Sequence, residues 1–570
     1  MRKSIEGHFS AADRTQLFYR HWQPEKKKSG KAVVLFHRGH EHSGRFQELV
    51  DRLEMRETSF FAWDCRGCGK SPGPRGDALH LGQLESDMEC FVRHIEAEYG
   101  FRQQDMVVLA HSVAAVVAGL WVLDYGPKLA GLILGTPALK VKLYVPFARE
   151  GLTALSAAGL MTDVKSYVSG SAITHDKEQA KAYDNDPLIS RNIATRVLLD
   201  LYKGAERLLQ QAEDIQVPTQ VLVARADWVI KNQPIRDLYE RLSGPKEIKV
   251  YRDFYHAIFH EKDRHLVYED VGRFMTECFS REETSPNDPG AAGRARFEWL
   301  KAGPPRISVN NIFWKISRLS MASLGRLSRG MRIGYKRGFS SGQMLDYVYE
   351  NKPRGLTPLG KLFDYFYLNS IGWVCIRQRR EHLQYLLREV LESSQAKSVA
   401  DIAGGPARYM LNVLKDHQDP ELRVIIRDRD ENGLEHGRQL AAQKNESRIT
   451  YQAADAFDPK SLATLEPLDV AIVSGLYELF PDNAPVKRSL AGLAQAVRPG
   501  GYLIYTNQPY HPTLELIAET LRHADGSRWV MRCRSTVEMD SLVSAAGFEK
   551  CRSLIDRHGI FSVSVAKRLP

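Results

Sequence analysis

Short apolar runs separated by longer amphipathic segments recur along most of the chain. In the first half, runs of strand length alternate with segments of helical periodicity. The apolar runs are 32–37, 59–64, 106–111, 130–135, 220–225 and 247–251. This alternation predicts a parallel sheet whose strands are joined by crossover helices.

A second alternating series follows in the last third of the chain. Its apolar runs are 397–404, 423–428, 448–452, 468–475 and 501–507. At 570 residues the chain is too long for one ordinary domain. We therefore predict an α/β protein with two doubly wound domains.

The segment between the two series marks the predicted domain boundary. Residues 281–305 are rich in Pro, Gly, Ala and charged residues, and they are predicted to be a linker. The first domain is then expected at 1–280 and the second at 381–570. Residues 306–380 form a basic, amphipathic and helical connecting region between them.

Composition restricts the class of protein. The chain is 43% hydrophobic and 26% charged, which is typical of a soluble globular protein. The first residues contain no apolar signal segment, and no uncharged stretch of about 18 apolar residues predicts a spanning helix. The seven cysteines are too few for a disulfide scaffold, so a cytoplasmic location is expected. The pair Cys65 and Cys68 lacks a second pair for zinc, and no metal site is predicted.

Positive charge is concentrated in one part of the chain. The net charge is +10, and residues 301–340 contain nine Lys or Arg and no Asp or Glu. Within 312–338, apolar residues recur at steps of three to five, at positions 312, 316, 319, 324, 327 and 331. This spacing predicts a helix with an apolar stripe and basic residues around it. One interpretation is a surface helix that binds anionic lipid at the inner face of the membrane. The alternative is a helix packed between the domains, with solvated basic residues.

Ser112 is the candidate nucleophile. It follows the strand 106–110 and precedes a helical run, and Ala110 and Ala114 occupy the glycine positions of a G-x-S-x-G turn. Such a strand-to-helix turn exposes a serine at the end of a sheet. The local motif alone also fits a serine that only happens to lie in an apolar run.

A base and an orienting acid for Ser112 follow at two later strand ends. Asp227 lies beyond the strand 220–225, and His256 follows the strand 247–251. Their order along the chain is the one expected for a serine hydrolase of this sheet type. His260 is a competing base, but it lies a helical turn further on and is expected to be structural.

Five segments together resemble the monoacylglycerol lipase and lysophospholipase group of α/β hydrolases. The resemblance spans about residues 8–280. The segments are HRGHEHSGRF (37–46), DCRGCGKSPGPRG (64–76), AHSVAA (110–115), ARADWV (224–229) and HAIFHE (256–261). The resemblance implies a serine ester hydrolase acting on acylglycerol- or lysophospholipid-like lipids. It also places a cap at 137–210 that shapes an apolar acyl pocket, although these residues also fit a packed helical core.

By the same resemblance, the backbone N–H groups of Gly39 and Val113 form the oxyanion hole. Arg38 stands where the family has glycine, and a side chain there could tilt the Gly39 donor. Arg38 and the alanine-flanked turn therefore leave an alternative open. In that alternative the hydrolase fold is inactive and serves lipid binding or interaction.

The second series carries the pattern of a nucleotide-like cofactor site. In VADIAGG, Asp401 ends a strand, and Gly404 and Gly405 form a turn that lets the backbone approach a ligand closely. Asp428 ends the next strand and could accept hydrogen bonds from ribose hydroxyls. Asp455 follows the strand after that.

This arrangement resembles class I S-adenosylmethionine-dependent methyltransferases over about residues 380–567, including their Pro-Gly-Gly strand at 497–507. The resemblance implies that Gly404 and Gly405 approach the methionine part of the cofactor. It further implies that Asp428 holds the ribose and that Asp455 contacts adenine. A nicotinamide-dependent dehydrogenase is the rival, but its G-x-G-x-x-G motif is missing.

The methyl acceptor is not specified by these motifs. Tyr477 and Glu478 follow the fourth strand, where acceptor-site residues often gather, and they are candidates. NQPY (507–510) follows the fifth strand and is not assigned to the acceptor site. Methyl transfer to a good nucleophile needs mainly alignment, so a catalytic base is not required. Nucleic acid is not expected as a partner, because no recognised binding module accompanies the basic stretch.

Overall fold

The computed structural model describes the chain apart from residues 27–28, 145–146, 159, 161, 282–287, 306–308, 340–341, 466 and 523–525. The chain divides into two compact units, Met1–Pro289 and Gly290–Pro570. Each unit is built around its own sheet. The predicted class, two α/β domains in tandem, is confirmed.

The first unit contains an eight-stranded sheet with the order β1-β2-β4-β3-β5-β6-β9-β10. β1 and β2 are antiparallel to their neighbours, and the remaining pairs are parallel. A separate antiparallel pair, β7 and β8, lies within the predicted cap. The strands are β1 (Ser4–Ser10), β2 (Gln16–Trp22), β3 (Ala32–Phe36), β4 (Ser59–Trp63), β5 (Met106–His111), β6 (Gly131–Gly135), β7 (Asp163–Lys165), β8 (Asn192–Ala194), β9 (Thr219–Ala224) and β10 (Lys246–Tyr251).

Helices cover this sheet and fill the predicted cap, 137–210. Val33 and Leu35 of β3 pack in one buried cluster with side chains of α1 and α9. The central strands are apolar throughout. Because successive strand residues point to opposite faces of a sheet, both faces are apolar and each needs a cover of helices. The helices are α1 (Gln47–Arg52), α2 (Leu81–Tyr99), α3 (Val113–Tyr125), α4 (Ala148–Ala157), α5 (Gly170–Ile173), α6 (Lys177–Asn185), α7 (Thr195–Gln211), α8 (Gln233–Arg241) and α9 (His265–Ser280).

The second unit contains a seven-stranded sheet with the order β13-β12-β11-β14-β15-β17-β16. β17 is antiparallel to both β15 and β16, and the other pairs are parallel. Alternate residues of β11 enter different buried clusters on the two faces, Val399 in one and Ala400 in the other. The strands are β11 (Ser398–Ile402), β12 (Arg423–Asp428), β13 (Ile449–Ala453), β14 (Leu468–Val473), β15 (Val497–Asn507), β16 (Phe548–Ile555) and β17 (Ser562–Arg568).

The helices of the second unit include five that precede its long helix α15. They are α10 (Ala291–Ala302), α11 (Val309–Leu324), α12 (Arg329–Arg337), α13 (Gly342–Glu350), α14 (Pro358–Leu368), α15 (Ile371–Ser394), α16 (Arg408–Asp416), α17 (Glu431–Gln443), α18 (Pro459–Ala463), α19 (Asn483–Ala496), α20 (Leu514–Thr520) and α21 (Thr536–Ala545).

Two expectations about the middle of the chain differ from the structure. The predicted linker, 281–305, contains α10, whose Gly293 lies against the backbone of Cys533 within the second unit. The predicted helix over 312–338 is two helices, because α11 ends at Leu324 and a 3-10 turn, Gly325–Leu327, precedes α12. Glycine has a poor helix propensity, which explains the break beside Gly325.

Six antiparallel strands, β1, β2, β7, β8, β16 and β17, were not predicted from the sequence. β1 and β16 lie at sheet edges, and β7 and β8 form a separate pair; all four are partly exposed, so their apolar pattern is weaker than that of the central parallel strands. The strands that the sequence predicted all occur, with ends shifted by a few residues.

Candidate functional site

Ser112 lies in a strained turn between β5 and α3. Its backbone has φ 59° and ψ −115°, a conformation that few residues other than glycine adopt. The turn is held in part because the Ser112 N–H donates to the carbonyl of Gly135 at the end of β6, at 2.8 Å. The strand-to-helix turn that the sequence predicted is therefore present, with Ala110 and Ala114 in place of glycine.

Three strand ends bring Ser112, His256 and Asp227 together. The hydroxyl of Ser112 lies 2.8 Å from Nε2 of His256, and Nδ1 of His256 lies 2.7 Å from Oδ2 of Asp227. Because a carboxylate can only accept, Nδ1 carries the proton and Nε2 is free to accept from the serine hydroxyl. All three side chains are buried.

The environment of Asp227 keeps its carboxylate charged. Burial would raise the pKa of Asp227, but the imidazole of His256 and several hydrogen bonds outweigh it and lower that pKa. The second carboxylate oxygen accepts from the backbone N–H groups of Val229 and Ile230, at 2.6 and 3.0 Å. These bonds also fix the orientation of the carboxylate toward the imidazole.

Two further buried histidines of the first unit, His260 and His111, remain neutral. Burial lowers the pKa of His260 to about 3, and Nε2 of His260 donates to the carbonyl of Arg45 at 3.1 Å. Burial also lowers the pKa of His111, whose Nε2 donates to the carbonyl of His256 at 3.0 Å. His260 is thus committed to a backbone contact, as the sequence analysis expected of a structural residue.

The two predicted oxyanion donors are adjacent in space. A methyl group on Gly39 would lie 3.4 Å from Cγ2 of Val113, so the loop after β3 passes directly beside the start of α3. Val113 is the first residue of α3, and the first N–H groups of a helix have no partner within it. Both residues line the same cavity as Ser112 and His256.

A cavity of about 770 Å³ opens beside Ser112 and is lined mainly by apolar side chains of the predicted cap. The free thiol residues Cys65 and Cys68 also line it, within a turn where the Cys68 N–H donates to the Cys65 carbonyl. The apolar cap residues at this cavity include Leu143, Tyr144, Phe147, Leu152, Leu155, Val164, Val197, Leu198 and Leu201. The predicted cap residues therefore border the candidate site.

In the second unit, Asp401, Gly404 and Gly405 lie at the carboxyl end of β11. A methyl group on Gly404 would lie 2.5 Å from Oδ2 of Asp401, so glycine is required there. Gly405 has φ 55°, and its N–H donates to Oδ2 of Asp428 at 2.8 Å. The turn after β11 is thereby attached to the end of β12.

Asp455 follows β13, the strand next to β12 in the sheet. Asp428 and Ala453 are paired in the β12–β13 register, and Asp455 follows two residues later. Its side chain is exposed, and Oδ1 accepts from the N–H of Phe457 at 2.9 Å. Asp401, Asp428 and Asp455 thus end three adjacent parallel strands, the edge at which ligands bind in such sheets.

The two oxygens of the buried Asp401 carboxylate differ in their partners. Oδ2 accepts from the hydroxyl of Tyr409 at 2.7 Å, whereas Oδ1 has no hydrogen-bond partner among the described residues. An unpaired buried oxygen is costly, and a ligand that donates to it would remove that cost. The donor-seeking carboxylate and the open backbone of Gly405 fit the amino-acid end of S-adenosylmethionine. Tyr409, which lies one helical turn beyond the glycines, was not predicted from the sequence.

The two acceptor candidates differ in their surroundings. Tyr477 is buried, and its hydroxyl donates to Ser489 of α19 at 3.0 Å. The Glu478 carboxylate accepts from Thr506 at 2.6 Å and lies 3.6 Å from the guanidinium of Arg379, while Oε2 has no partner among the described residues. Glu478 therefore offers an oxygen to a ligand, and Tyr477 is occupied within the core.

Comparison with known proteins assigns a family to the chain. The model of a family described as "Putative methyltransferase" matches residues 271–568. The chain belongs to this family. The model described as "Serine aminopeptidase, S33" matches residues 27–263. "Uncharacterized protein YnbC" of Escherichia coli (strain K12) is 44% identical over 576 residues, covering 99% of this chain and 98% of that protein. The chain thus carries a hydrolase-family unit followed by a methyltransferase-family unit.

The first unit resembles monoglyceride lipases. Human "Monoglyceride lipase" is 27% identical over 266 residues, which cover 45% of this chain and 84% of that protein. The crystal structure of Paleococcus ferrophilus monoacylglycerol lipase aligns with 46% of this chain and 99% of its own, at 23% identity and a TM-score of 0.42. The predicted resemblance of residues 8–280 is confirmed at the level of the family.

The basic segment exposes apolar side chains on α11. Ile312, Phe313, Ile316 and Leu319 are 60, 57, 64 and 72% exposed. Lys315 lies among them, and Arg326 and Arg329 are exposed beyond the helix end. Met331, placed in the same stripe by the sequence analysis, is instead buried with Phe339, and the side chain of Leu324 lies outside the described part of the chain.

A second exposed apolar face lies on α14 and was missed by the sequence analysis. Its large exposed side chains are Leu359, Leu362, Tyr365 and Phe366. α14 packs against the 3-10 turn that ends α11, where the N–H of Leu356 donates to the carbonyl of Leu327. Within the described residues, no helix is long and apolar enough to span a membrane.

Proposed function

We propose that the first unit is a serine ester hydrolase acting on acylglycerol- or lysophospholipid-like lipids. The observation that carries this proposal is the hydrogen-bonded series Ser112, His256 and Asp227 in the productive tautomer. Ser112 attacks the ester carbonyl while His256 takes its proton, and Asp227 orients the imidazole and stabilises the imidazolium. His256 then returns the proton to the leaving alcohol.

Water completes the reaction by the same route. His256 takes a proton from water, the hydroxide attacks the acyl group on Ser112, and the serine leaves with the proton. At both stages the N–H groups of Gly39 and Val113 donate to the carbonyl oxygen as it becomes an oxyanion. Loss of one such donor costs about 2.7–4 kcal/mol in the barrier.

The cavity supports a lipid as the substrate. Its apolar walls would bury an acyl chain, and burial contributes about 0.8 kcal/mol per CH₂ group. Monoglyceride lipases, to which this unit is similar, carry such an ester in their name. A single acyl chain with a small alcohol fits this combination of an apolar chamber and a buried serine.

A fluorophosphonate probe tests this function, because it labels only an activated serine. We expect the wild-type protein to be labelled and Ser112→Ala to remain unlabelled. Ser171→Ala removes an exposed serine of α5 and serves as the matched control, with labelling as in the wild type. An unlabelled wild-type protein would favour the alternative, a methyltransferase with an inactive hydrolase fold that serves lipid binding or interaction.

We further propose that the second unit is a methyltransferase that uses S-adenosylmethionine. When bound, this cofactor supplies an activated methyl group. Asp401 and the backbone of Gly404 and Gly405 would hold its amino-acid end, Asp428 its ribose and Asp455 its adenine. Oδ1 of Asp401, beside the Gly404–Gly405 turn, has no hydrogen-bond partner among the residues that the structure describes, and this observation supports the assignment most directly.

Glu478 is the better of the two acceptor candidates. Its Oε2, which has no partner within the described part of the chain, would accept a hydrogen bond from the methyl acceptor and align it at the carboxyl end of β14. Isothermal titration with S-adenosylhomocysteine tests cofactor binding without knowledge of the acceptor. Binding of about one equivalent is expected, and no measurable binding would contradict the methyltransferase assignment.

A peripheral contact with anionic lipid is the third part of the proposal. Apolar side chains on a helix with basic neighbours suit the headgroup boundary, and each basic residue there contributes about 1 kcal/mol. The α11 face has this character, and the α14 face adds apolar area next to its end. Such a contact would hold the protein at the cytoplasmic face of the membrane, close to lipid esters.

A further inference from the structure

We propose that Arg38 is a positioning residue that couples the oxyanion donor Gly39 to helix α6 of the predicted cap. This proposal rests on the proposed hydrolase activity. Arg38 lies in the 37–46 loop, which follows β3 and carries the Gly39 N–H. The side chain of Arg38 and its carbonyl both make contacts that hold the peptide unit between Arg38 and Gly39.

The carbonyl of Arg38 is held by His37, which directly follows β3. Nδ1 of His37 donates to this carbonyl at 2.7 Å, and Nε2 of His37 accepts from the backbone N–H of Cys65 at 2.9 Å. Because the peptide group is planar and trans, the carbonyl of Arg38 and the N–H of Gly39 point in opposite directions. The bond from His37 therefore sets the direction of the Gly39 N–H.

The side chain of Arg38 is buried and paired. Its Nη2 lies 3.0 Å from Oε1 of Glu41, whose carboxylate also accepts from Nε of Arg45 at 2.8 Å. Burial would lower the pKa of Arg38, but the charge of Glu41 raises it. The Glu41 carboxylate is thus shared by two guanidinium groups. It does not fully neutralise the charge of Arg38, which can interact with a further partner.

Tyr183 of α6 is that partner. The guanidinium carbon of Arg38 lies 4.6 Å from the centre of the Tyr183 ring, within the range of a cation–π contact. Tyr183 is 1% exposed, and its hydroxyl has no hydrogen-bond partner among the described residues. The aromatic face of this side chain therefore contacts the guanidinium group.

A second contact joins the same two elements. Nε2 of His42 lies 2.9 Å from Oδ2 of Asp186, the residue that directly follows α6. The 37–46 loop is thus attached to α6 at two points on either side of Glu41. A shift of α6 would move the backbone on both sides of Gly39, so the donor reaches its place only when α6 is seated.

This coupling gives a reason for Arg38 at a position where the resembling family has glycine. A glycine would leave the peptide unit held only through its carbonyl, which accepts from His37 at 2.7 Å and from the backbone N–H of Glu41 at 3.3 Å. The arginine adds a contact to the cap, which covers the cavity that receives the substrate. The oxyanion site is thereby completed by the cap as well as by the sheet.

The test compares Tyr183→Leu with Tyr183→Phe, using a short-chain nitrophenyl ester and an alkylboronic acid that mimics the tetrahedral intermediate. Tyr183→Phe keeps the ring and should match the wild type. Tyr183→Leu should lower kcat at least tenfold, leave KM within twofold, and weaken boronic acid inhibition by a similar factor. A misplaced oxyanion donor raises the energy of the transition state but does not change substrate binding in the ground state. A lower kcat with an unchanged KM therefore distinguishes this effect from a general disruption of the fold.

Asp186→Asn provides a variant near the surface in case Tyr183→Leu does not fold. It removes the charge of the second contact and should lower kcat severalfold with KM unchanged. Equal kcat values for Tyr183→Leu, Asp186→Asn and the wild type would overturn the coupling alone. Absence of hydrolysis by the wild-type protein would overturn the proposed activity and the coupling with it.

Discussion

The hydroxyl of Tyr409 donates a hydrogen bond to Oδ2 of Asp401, with 2.7 Å between the two oxygens. Burial raises the pKa of Asp401 to about 7, and the nearby charge of Asp428 adds to this, although the bond from Tyr409 opposes it. A carboxyl group at the proposed cofactor site therefore changes its charge near neutral pH.

We expect S-adenosylmethionine, which is cationic at its sulfonium and amino groups, to bind the deprotonated form of Asp401. Affinity should rise with pH up to about 7, by at most ~10-fold per unit, and level off above it. Titration calorimetry at pH 6, 7 and 8 measures this. Asp401→Asn should bind more weakly and without this pH dependence, while Asp416→Asn, an exposed control, should follow the wild type. A flat wild-type profile would remove Asp401 from the cofactor site.

Ser112→Ala should abolish ester hydrolysis and leave S-adenosylmethionine binding intact. The change removes the attacking oxygen, whereas the cofactor residues belong to the other compact unit. Nitrophenyl ester turnover and titration calorimetry on the same preparation measure the two outcomes. Turnover at the wild-type rate would show that another residue is the nucleophile.

Asp428→Ala should weaken S-adenosylmethionine binding by about 1.5–3 kcal/mol, the scale of a hydrogen bond to a charged group. Part of this loss has a local cause, because the variant also frees the N–H of Gly405 from its bond to Oδ2. Asp428→Asn keeps an acceptor oxygen and should lose less. Ester hydrolysis should be unchanged in both. Calorimetric affinities equal to that of the wild type would argue against a role of Asp428 in ribose binding.

Glu85→Gln should stabilise the first unit at neutral and alkaline pH. Burial raises the pKa of Glu85 well above its usual value, and the carboxylate of Asp124 raises it further. Because this folded-state pKa exceeds the unfolded one, wild-type stability falls as pH rises above the unfolded value, and the neutral glutamine avoids that loss. The advantage should grow by at most ~1.4 kcal/mol per pH unit.

Urea unfolding at pH 5, 7 and 8.5 checks the behaviour of Glu85→Gln. Glu98→Gln, an exposed change on the same helix α2, is the control and should show no pH-dependent difference from the wild type. If Glu85→Gln and the wild type differ by the same amount at every pH, then Glu85 is ionised in the folded protein.

Vesicle binding should depend on the basic residues around α11. Co-sedimentation with vesicles containing phosphatidylglycerol should be strong for the wild type at low salt and should weaken as salt rises. A variant with Glu at Arg318, Arg326 and Arg329 should remain in the supernatant. The control carries the same charge change at exposed residues of the first unit, Lys203, Arg236 and Lys262, and should sediment. Equal sedimentation of both variants would exclude the α11 surface.

The sequence by itself determined the features that depend on neighbours along the chain. The apolar run before Ser112 and the helical run after it specify a strand, a turn and a helix, and the acid and base follow at later strand ends. The glycines after Asp401 and the acidic residue Asp428 can likewise be recognised from their neighbours along the chain. Residue periodicity and turn chemistry are local, so they can be recognised without knowing how the sheet is assembled.

Only the tertiary structure decided which distant residues meet. Arg38 and Tyr183 are far apart in sequence, and their contact arises because the cap segment packs over the loop after β3. Arg379 reaches Glu478 in the same way, from a helix that precedes the whole second sheet. The apolar face of α14 has the periodicity of a core helix, and only packing reveals that it is exposed. The sequence pattern indicates which residues are apolar. Whether another helix or strand covers them depends on the three-dimensional arrangement of the chain.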